Sequence, residues 1–180
     1  DERTYLEHLL VNGELDVGLL LVSNLQDRQA LESEVLIRSP WRIWLPAGHA
    51  LLAQHVLTLA DIAAEPLIML SVDELIETTT AYWREEGLSP NIVLKTASVE
   101  AVRSLVGMGV GLATLPDMAY RPWSLEGDRL EARELANPIP TVDVGLAWRR
   151  GAPLRPTASQ FLDMCRAYSP PNSRRRLPGN

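Results

Sequence analysis

Residues 92–116 read IVLKTASVEAVRSLVGMGVGLATLP, and the fold turns on how this stretch divides. Ile92–Thr96 is a short run of strand-forming residues. Ser98 is a good helix N-cap, and Val99, Val102, Leu105 and Val106 follow at helical spacing until Gly107 and Gly109 close the helix. Gly111–Leu115 is a second strand, cut off at Pro116. The glycines at 107, 109 and 111 imitate a nucleotide loop, but they follow a helix and precede a strand. A dinucleotide loop needs the reverse order, so they read as a C-cap and a tight turn.

The same alternation extends outward. Thr58 and Asp61 resemble a capping box opening a short helix that stops before Pro66, and Leu67–Leu70 is a short buried strand. Residues 74–86 are helical, with Leu75, Ile76, Thr79, Tyr82 and Trp83 along one side and Gly87 at the end. From Thr58 to Leu115 helix and strand alternate, which predicts a parallel sheet with right-handed crossovers.

The flanks carry further elements. Residues 3–12 form a helix through Leu6, Leu9 and Leu10, with Gly13 in the capping position. Leu15–Val22 reads as a strand covered on both faces, and Val35–Leu45 as a long strand interrupted by Pro40, with Trp41, Ile43 and Leu45 on one face. Val142, Val144, Leu146 and Trp148 alternate with Asp143, Gly145 and Ala147, a strand with one polar-leaning face. Pro156–Tyr168 is a helix expected to bury Phe161, Leu162, Cys165 and Tyr168. The fold class is therefore α/β in two lobes: residues 1–45 with 141–168, and residues 46–140. Two crossings, near 46–48 and 138–140, imply a cleft where ligands meet the carboxyl ends of strands. Residues 169–180 are polar and Pro-rich, a flexible tail.

Composition narrows the function. The chain has 180 residues with 17 basic and 23 acidic side chains, a net charge of −6 that does not suit a stand-alone nucleic-acid binder. The single cysteine, Cys165, permits no internal disulfide or Cys-based zinc site and favours a reducing compartment. There is no run of apolar residues long enough to span a bilayer, and Asp1-Glu2-Arg3-Thr4 reads as a charged helix start and not as a signal peptide. A cytoplasmic globular chain is expected. Catalysis has little support: His8, His49 and His55 lack metal-ligand spacing, and no Gly-x-Ser-x-Gly occurs. Trp41, Trp44 and Trp148 read as core or dimer packing. No metal and no cofactor are expected.

Six stretches in order carry a resemblance: LLVNGELDVG (9–18), LPAGHAL (45–51), LADIAAEPLI (59–68), SVEAVRSLVG (98–107), GVGLATLP (109–116) and WRR (148–150). Together they resemble the effector-binding domain of LysR-type transcriptional regulators over nearly the whole chain. The resemblance implies two Rossmann-like lobes joined by two crossover strands in a type 2 periplasmic-binding-protein-like fold, a small-molecule inducer in the cleft, and self-association as a dimer or tetramer. It implies contact with DNA only through an N-terminal winged helix-turn-helix, which this chain lacks along with the first β-α-β of lobe I, so lobe I is incomplete. A dimer is expected, with helices 3–12 and 156–168 on lobe I and 98–107 on lobe II as candidate contacts. A transport-type solute-binding protein of the same architecture is the alternative, and a two-lobed enzyme a more distant one.

Within that resemblance the candidate effector-binding residues are Ser71, Val72, Thr96, Ser98, Leu21, Ser23 and Arg3. Ser98 caps the helix after it, and that helix's free backbone N–H groups suit a carboxylate. Thr96 ends the preceding strand, where a β-branched residue also serves simple packing. Ser71 and the amides around Val72 follow another strand's carboxyl end, and Asp73 reads as a cap. Leu21 stands where some family members place a polar or basic contact, which suggests a less charged ligand on that side. Ser23 is a nearby hydroxyl. Arg3 either pairs with an acidic ligand or is solvated.

Overall fold

The computed structural model describes residues 3–72 and 75–168; Asp73 and the tail 169–180 lie outside the described residues. In chain order the elements are α1 (Arg3–Asn12), β1 (Gly18–Leu21), β2 (Leu31–Ser39), β3 (Trp41–Pro46), α2 (Leu59–Ile62), β4 (Leu67–Leu70), α3 (Leu75–Glu85), β5 (Ile92–Thr96), α4 (Val99–Gly107), β6 (Ala113–Pro116), β7 (Leu130–Glu134), β8 (Val142–Arg149) and α5 (Pro156–Ala167). The backbone separates into two units, one formed by the chain up to Ser39 and from Thr141 onward, the other by Pro40–Pro140.

In the first unit β8 lies between β1 and β2 and is antiparallel to both. Leu10 of α1 packs with Leu20, Val22, Leu25, Leu31 and Ala147. The face of β8 that alternation made polar-leaning is thus a core face: Gly145 and Ala147 are small because α1 and the turn after β1 press on them. A Cβ on Gly145 would fall 2.2 Å from the Glu34 carbonyl oxygen and 2.9 Å from Val22 Cγ2. Two other expectations need correction. β1 spans only Gly18–Leu21 and is not covered on both faces, since Leu19 is 54% exposed. On α5, Ala158 and Leu162 are buried while Phe161 and Cys165 are only half-buried and Tyr168 is 85% exposed, because only the i,i+4 line through Ala158 and Leu162 is covered.

The second unit joins two sheets. β4 and β5 pair in parallel, and β6-β3-β7 is antiparallel throughout. A parallel bridge, Leu67 to Leu112, ties them together. The expected parallel sheet therefore covers β4 and β5 and this bridge, while β6 turns to pair with β3 instead. The reason is Pro40, which breaks the single strand expected over 35–45 into β2 and β3 and sends them into different sheets. The unit boundary accordingly falls between Ser39 and Pro40, whereas the sequence reading carries the first lobe to residue 45. β7 was not anticipated, although Leu130 and Ala132 alternate with charged neighbours.

The core of this unit gathers Trp44, Ile68, Leu70, Val102, Val106, Ala113, Leu115 and Leu130. The capping box of α2 forms as read: Asp61 N–H donates to the Thr58 hydroxyl and Thr58 N–H to the Asp61 carboxylate. The Thr58 hydroxyl, which also donates to the Asp61 carboxylate at 2.6 Å, and then the Thr58 N–H hold that carboxyl below its ordinary range. On α3, Tyr82 is buried with its hydroxyl 2.5 Å from Thr114 Oγ1 and its ring edge-on to Trp41.

Two outcomes follow. Gly145→Ala should lower stability by about 3 kcal/mol, since backbone blocks the new methyl, and a urea midpoint measures it. Burial pushes the Tyr82 phenol up to about 12. An unfolded tyrosine ionises near 10, so stability is fully present below about pH 10 and falls by roughly 3 kcal/mol as pH rises through 12. Tyr82→Phe should flatten that alkaline decline in melts between pH 9 and about 12.

Candidate functional site

The carboxyl ends of β4 and β5 bring three candidates together. Leu70 stands level with Thr96, and the Ser71 N–H donates to the Thr96 carbonyl at 2.8 Å. The Thr96 side-chain oxygen accepts from the Ser98 N–H at 3.2 Å. The Ser98 hydroxyl oxygen in turn accepts from the Ala101 N–H at 3.2 Å, capping α4 as expected. Thr96 is thus the hub, bonded through its carbonyl to one loop and through its hydroxyl oxygen to the other.

What remains unused in this arrangement defines its chemistry. The first N–H groups of a helix have no intrahelical acceptor. Ser98 takes that of Ala101, which leaves those of Val99 and Glu100 at the positive end of α4. The hydroxyl protons of Thr96 and Ser98 remain available, because both oxygens act here as acceptors. The Ser71 hydroxyl is half-buried and has no partner among the described residues. Val72 accepts from Leu75 N–H through its carbonyl and packs, with Val99, against the core. Donors beside apolar side chains suit a small anion or hydroxylated ligand. Among the described residues, no three His, Cys, Asp or Glu side chains are placed to hold a metal ion.

The other three candidates belong to the first unit. Leu21 ends β1 opposite Val144, and the Ser23 hydroxyl accepts from the Asp143 N–H at 3.3 Å. Arg3 is not solvated: it is 8% exposed and paired with the buried Glu7, one turn away on α1. Glu7 also accepts from the N–H groups of Gln26 and Asp27. The pair closes α1 onto the turn after β1, so a terminal position in the chain did not mean a solvated side chain.

One neighbour of the site escaped the sequence reading. Arg103 on α4 is 4% exposed and forks onto the Glu100 carboxylate, Nε to Oε2 and Nη2 to Oε1, both at 3.1 Å. Nη2 also donates to the Ala119 carbonyl at 3.0 Å, and the guanidinium lies 5.2 Å from the centre of the Trp44 ring. The i,i+3 spacing of Glu100 and Arg103 was visible in sequence; the buried indole beneath them was not.

With this geometry in hand, comparison with known proteins is informative. Residues 1–170 match the family model described as the LysR substrate binding domain. The DNA-binding transcriptional dual regulator OxyR of Escherichia coli (strain K12) is 26% identical over 159 residues, covering 88% of this chain and 51% of OxyR. The chain thus spans about half the length of the curated relatives it matches. The crystal structure of HinK, a LysR family transcriptional regulator from Pseudomonas aeruginosa, superposes with a TM-score of 0.79 at 30% identity, over 93% of this chain and 57% of HinK. The effector-binding domain of QuiR in complex with shikimate gives 0.73 at 16% identity, over 94% of this chain and 78% of that domain, a likeness of fold alone. The α/β architecture is of the type 2 periplasmic-binding-protein-like kind, and the chain belongs to the LysR substrate-binding domain family as an effector-binding domain of a LysR-type regulator.

Proposed function

We propose that this chain is the inducer-sensing part of a cytoplasmic transcription regulator and that it holds a small carboxylate-bearing metabolite against Ser71, Val72, Thr96 and Ser98. The observation that carries this reading is the double engagement of Thr96, which aligns two loops and leaves their donors unused. A helix end stabilises an anion by about 0.3–1 kcal/mol when exposed, too little for micromolar affinity by itself. Hydroxyl donors and apolar contact with Val72 and Val99 supply the remainder. In the first unit, taken by itself, Leu21 and Ser23 are proposed as effector contacts, and Arg3, already paired with Glu7, as a support without direct ligand contact. The reaction required of the protein is a population shift: the ligand binds one arrangement of the subunits better than another, and an attached DNA-binding domain reports it. The regulatory nature of the curated relatives favours this reading over a transport protein of the same fold.

A thermal-shift and calorimetric screen of small aromatic and aliphatic carboxylates tests the reading. A true effector at a hundred times its Kd should add about 2.7 kcal/mol of stability. Thr96→Val should weaken its binding about tenfold and cost about 1 kcal/mol in the unliganded melt through loss of the bond from the Ser98 N–H, and Ser98→Ala should cost about as much through loss of the α4 cap. If no carboxylate stabilises the protein, or if Thr96→Val binds the effector as tightly as the parent, the site assignment fails. Self-association is the second expectation: light scattering at micromolar concentration should give the mass of a dimer, and a 20.0 kDa monomer would refute it.

A further inference from the structure

The buried guanidinium of Arg103 has a partner whose position bears on the site. Glu100 is the second residue of α4, and its own backbone N–H is one of the donors left free there. An acidic side chain in a helix's first turn is ordinarily drawn to those same N–H groups. Here both carboxylate oxygens are instead held by Arg103, one turn further along α4 and away from the helix start. Arg103 cannot follow Glu100 outward, because its fork is fixed on the other side by the Ala119 carbonyl and it rests on Trp44, which is fully buried. The bidentate geometry demands a planar, permanently charged group. Glu100 itself is 53% exposed on its side chain, so packing does not hold it; the arginine does.

We propose that Arg103 is a positioning residue that gives the Ser71–Thr96–Ser98 site its preference for anions, by withdrawing and neutralising the Glu100 carboxylate that would otherwise sit at the free N–H groups of α4. The inference rests on the reading of that site as an anion-binding one. Without the clamp, the Glu100 charge both competes for the donors and repels a ligand carboxylate. The expected consequence is a loss of about tenfold in anion affinity, for a like charge within several ångströms in a partly solvated setting. Removing the Glu100 charge as well should abolish the penalty.

The test uses acetate and benzoate as probes and the amide resonances of Val99 and Glu100 in ¹⁵N-labelled full chain as the readout. In the parent both resonances should shift saturably with probe. In R103M, which keeps an unbranched apolar side chain over Trp44, the apparent Kd should rise about tenfold. In E100Q/R103M it should return to within about twofold of the parent. A purely structural role for Arg103 predicts no such rescue, so a double variant as weak as R103M overturns the inference, as does an R103M that binds like the parent. Should R103M lose its cooperative melt, R103Q and E100Q/R103Q carry the same comparison, because glutamine keeps a donor for the Ala119 carbonyl but removes the charge that neutralises Glu100. If the parent shows no shift with either probe, the anion site itself falls and the inference with it. That outcome is distinct from a parent that binds and variants that are indifferent.

Discussion

The register of β4 against β5 is the constraint on which the site depends. Leu67 stands opposite Ile92, but Ile68 stands opposite Leu94, so β5 carries one extra residue at Val93. Without it Lys95 would stand level with Leu70, and Thr96 would have moved to the other side of the sheet, since a slip of one residue reverses every side chain. The irregularity puts Thr96 level with Leu70, on the face where Leu70 packs with Val102 of α4. From there its carbonyl meets the loop after β4, and its hydroxyl oxygen meets the N–H that leads into α4. Parallel strands joined by a helix end side by side, so two loops necessarily emerge together. The bulge decides which residues those loops present.

Two ion pairs, each with a buried arginine, brace this frame in different ways. Arg3 and Glu7 lie on one face of α1, and Glu7 satisfies two backbone N–H groups of the turn after β1. Arg103 and Glu100 lie on α4, and Arg103 satisfies a carbonyl in the segment after β6. In each case one charged group has other backbone partners beside its ionic one, which offsets the desolvation that makes buried pairs poor stabilisers by themselves. Each also fastens a helix to a segment distant in sequence, so the pair fixes geometry more than it adds stability. For α4 the helix end so fastened is the one whose first N–H groups, beside Thr96 and Ser98, form the proposed effector site.

Much of this was legible from residue types. Capping at Thr58 and Ser98, the helix stripe of α4 and the strand–helix–strand order rest on local rules, and local rules are written in neighbouring residues. The burial of Arg3 and Arg103 was not legible, because a charged side chain near a chain end or on a helix looks solvated until its distant partners are known. The small residues of β8 misled for a similar reason. Gly145 looks like a weak strand residue, yet it is where the Glu34 backbone approaches most closely. Among the candidate contacts, Ser71, Thr96 and Ser98 came together as a group, while the environment of Arg3 had to be corrected.

By itself the amino-acid order determined the elements and the family: capping hydroxyls, apolar spacing and turn residues act within a few positions, and six such stretches in sequence are specific. Strand partnership was left to the tertiary structure. Whether residues 41–46 continue β2 or join β6 and β7 depends on hydrogen bonds between residues far apart in the chain, and Pro40 marks a break without saying where the chain goes next. The same is true of the Thr96 hub and of the Arg103 clamp over Trp44. Each needs a backbone register or a buried ring supplied by a remote segment, and no local pattern encodes a partner that only packing brings near.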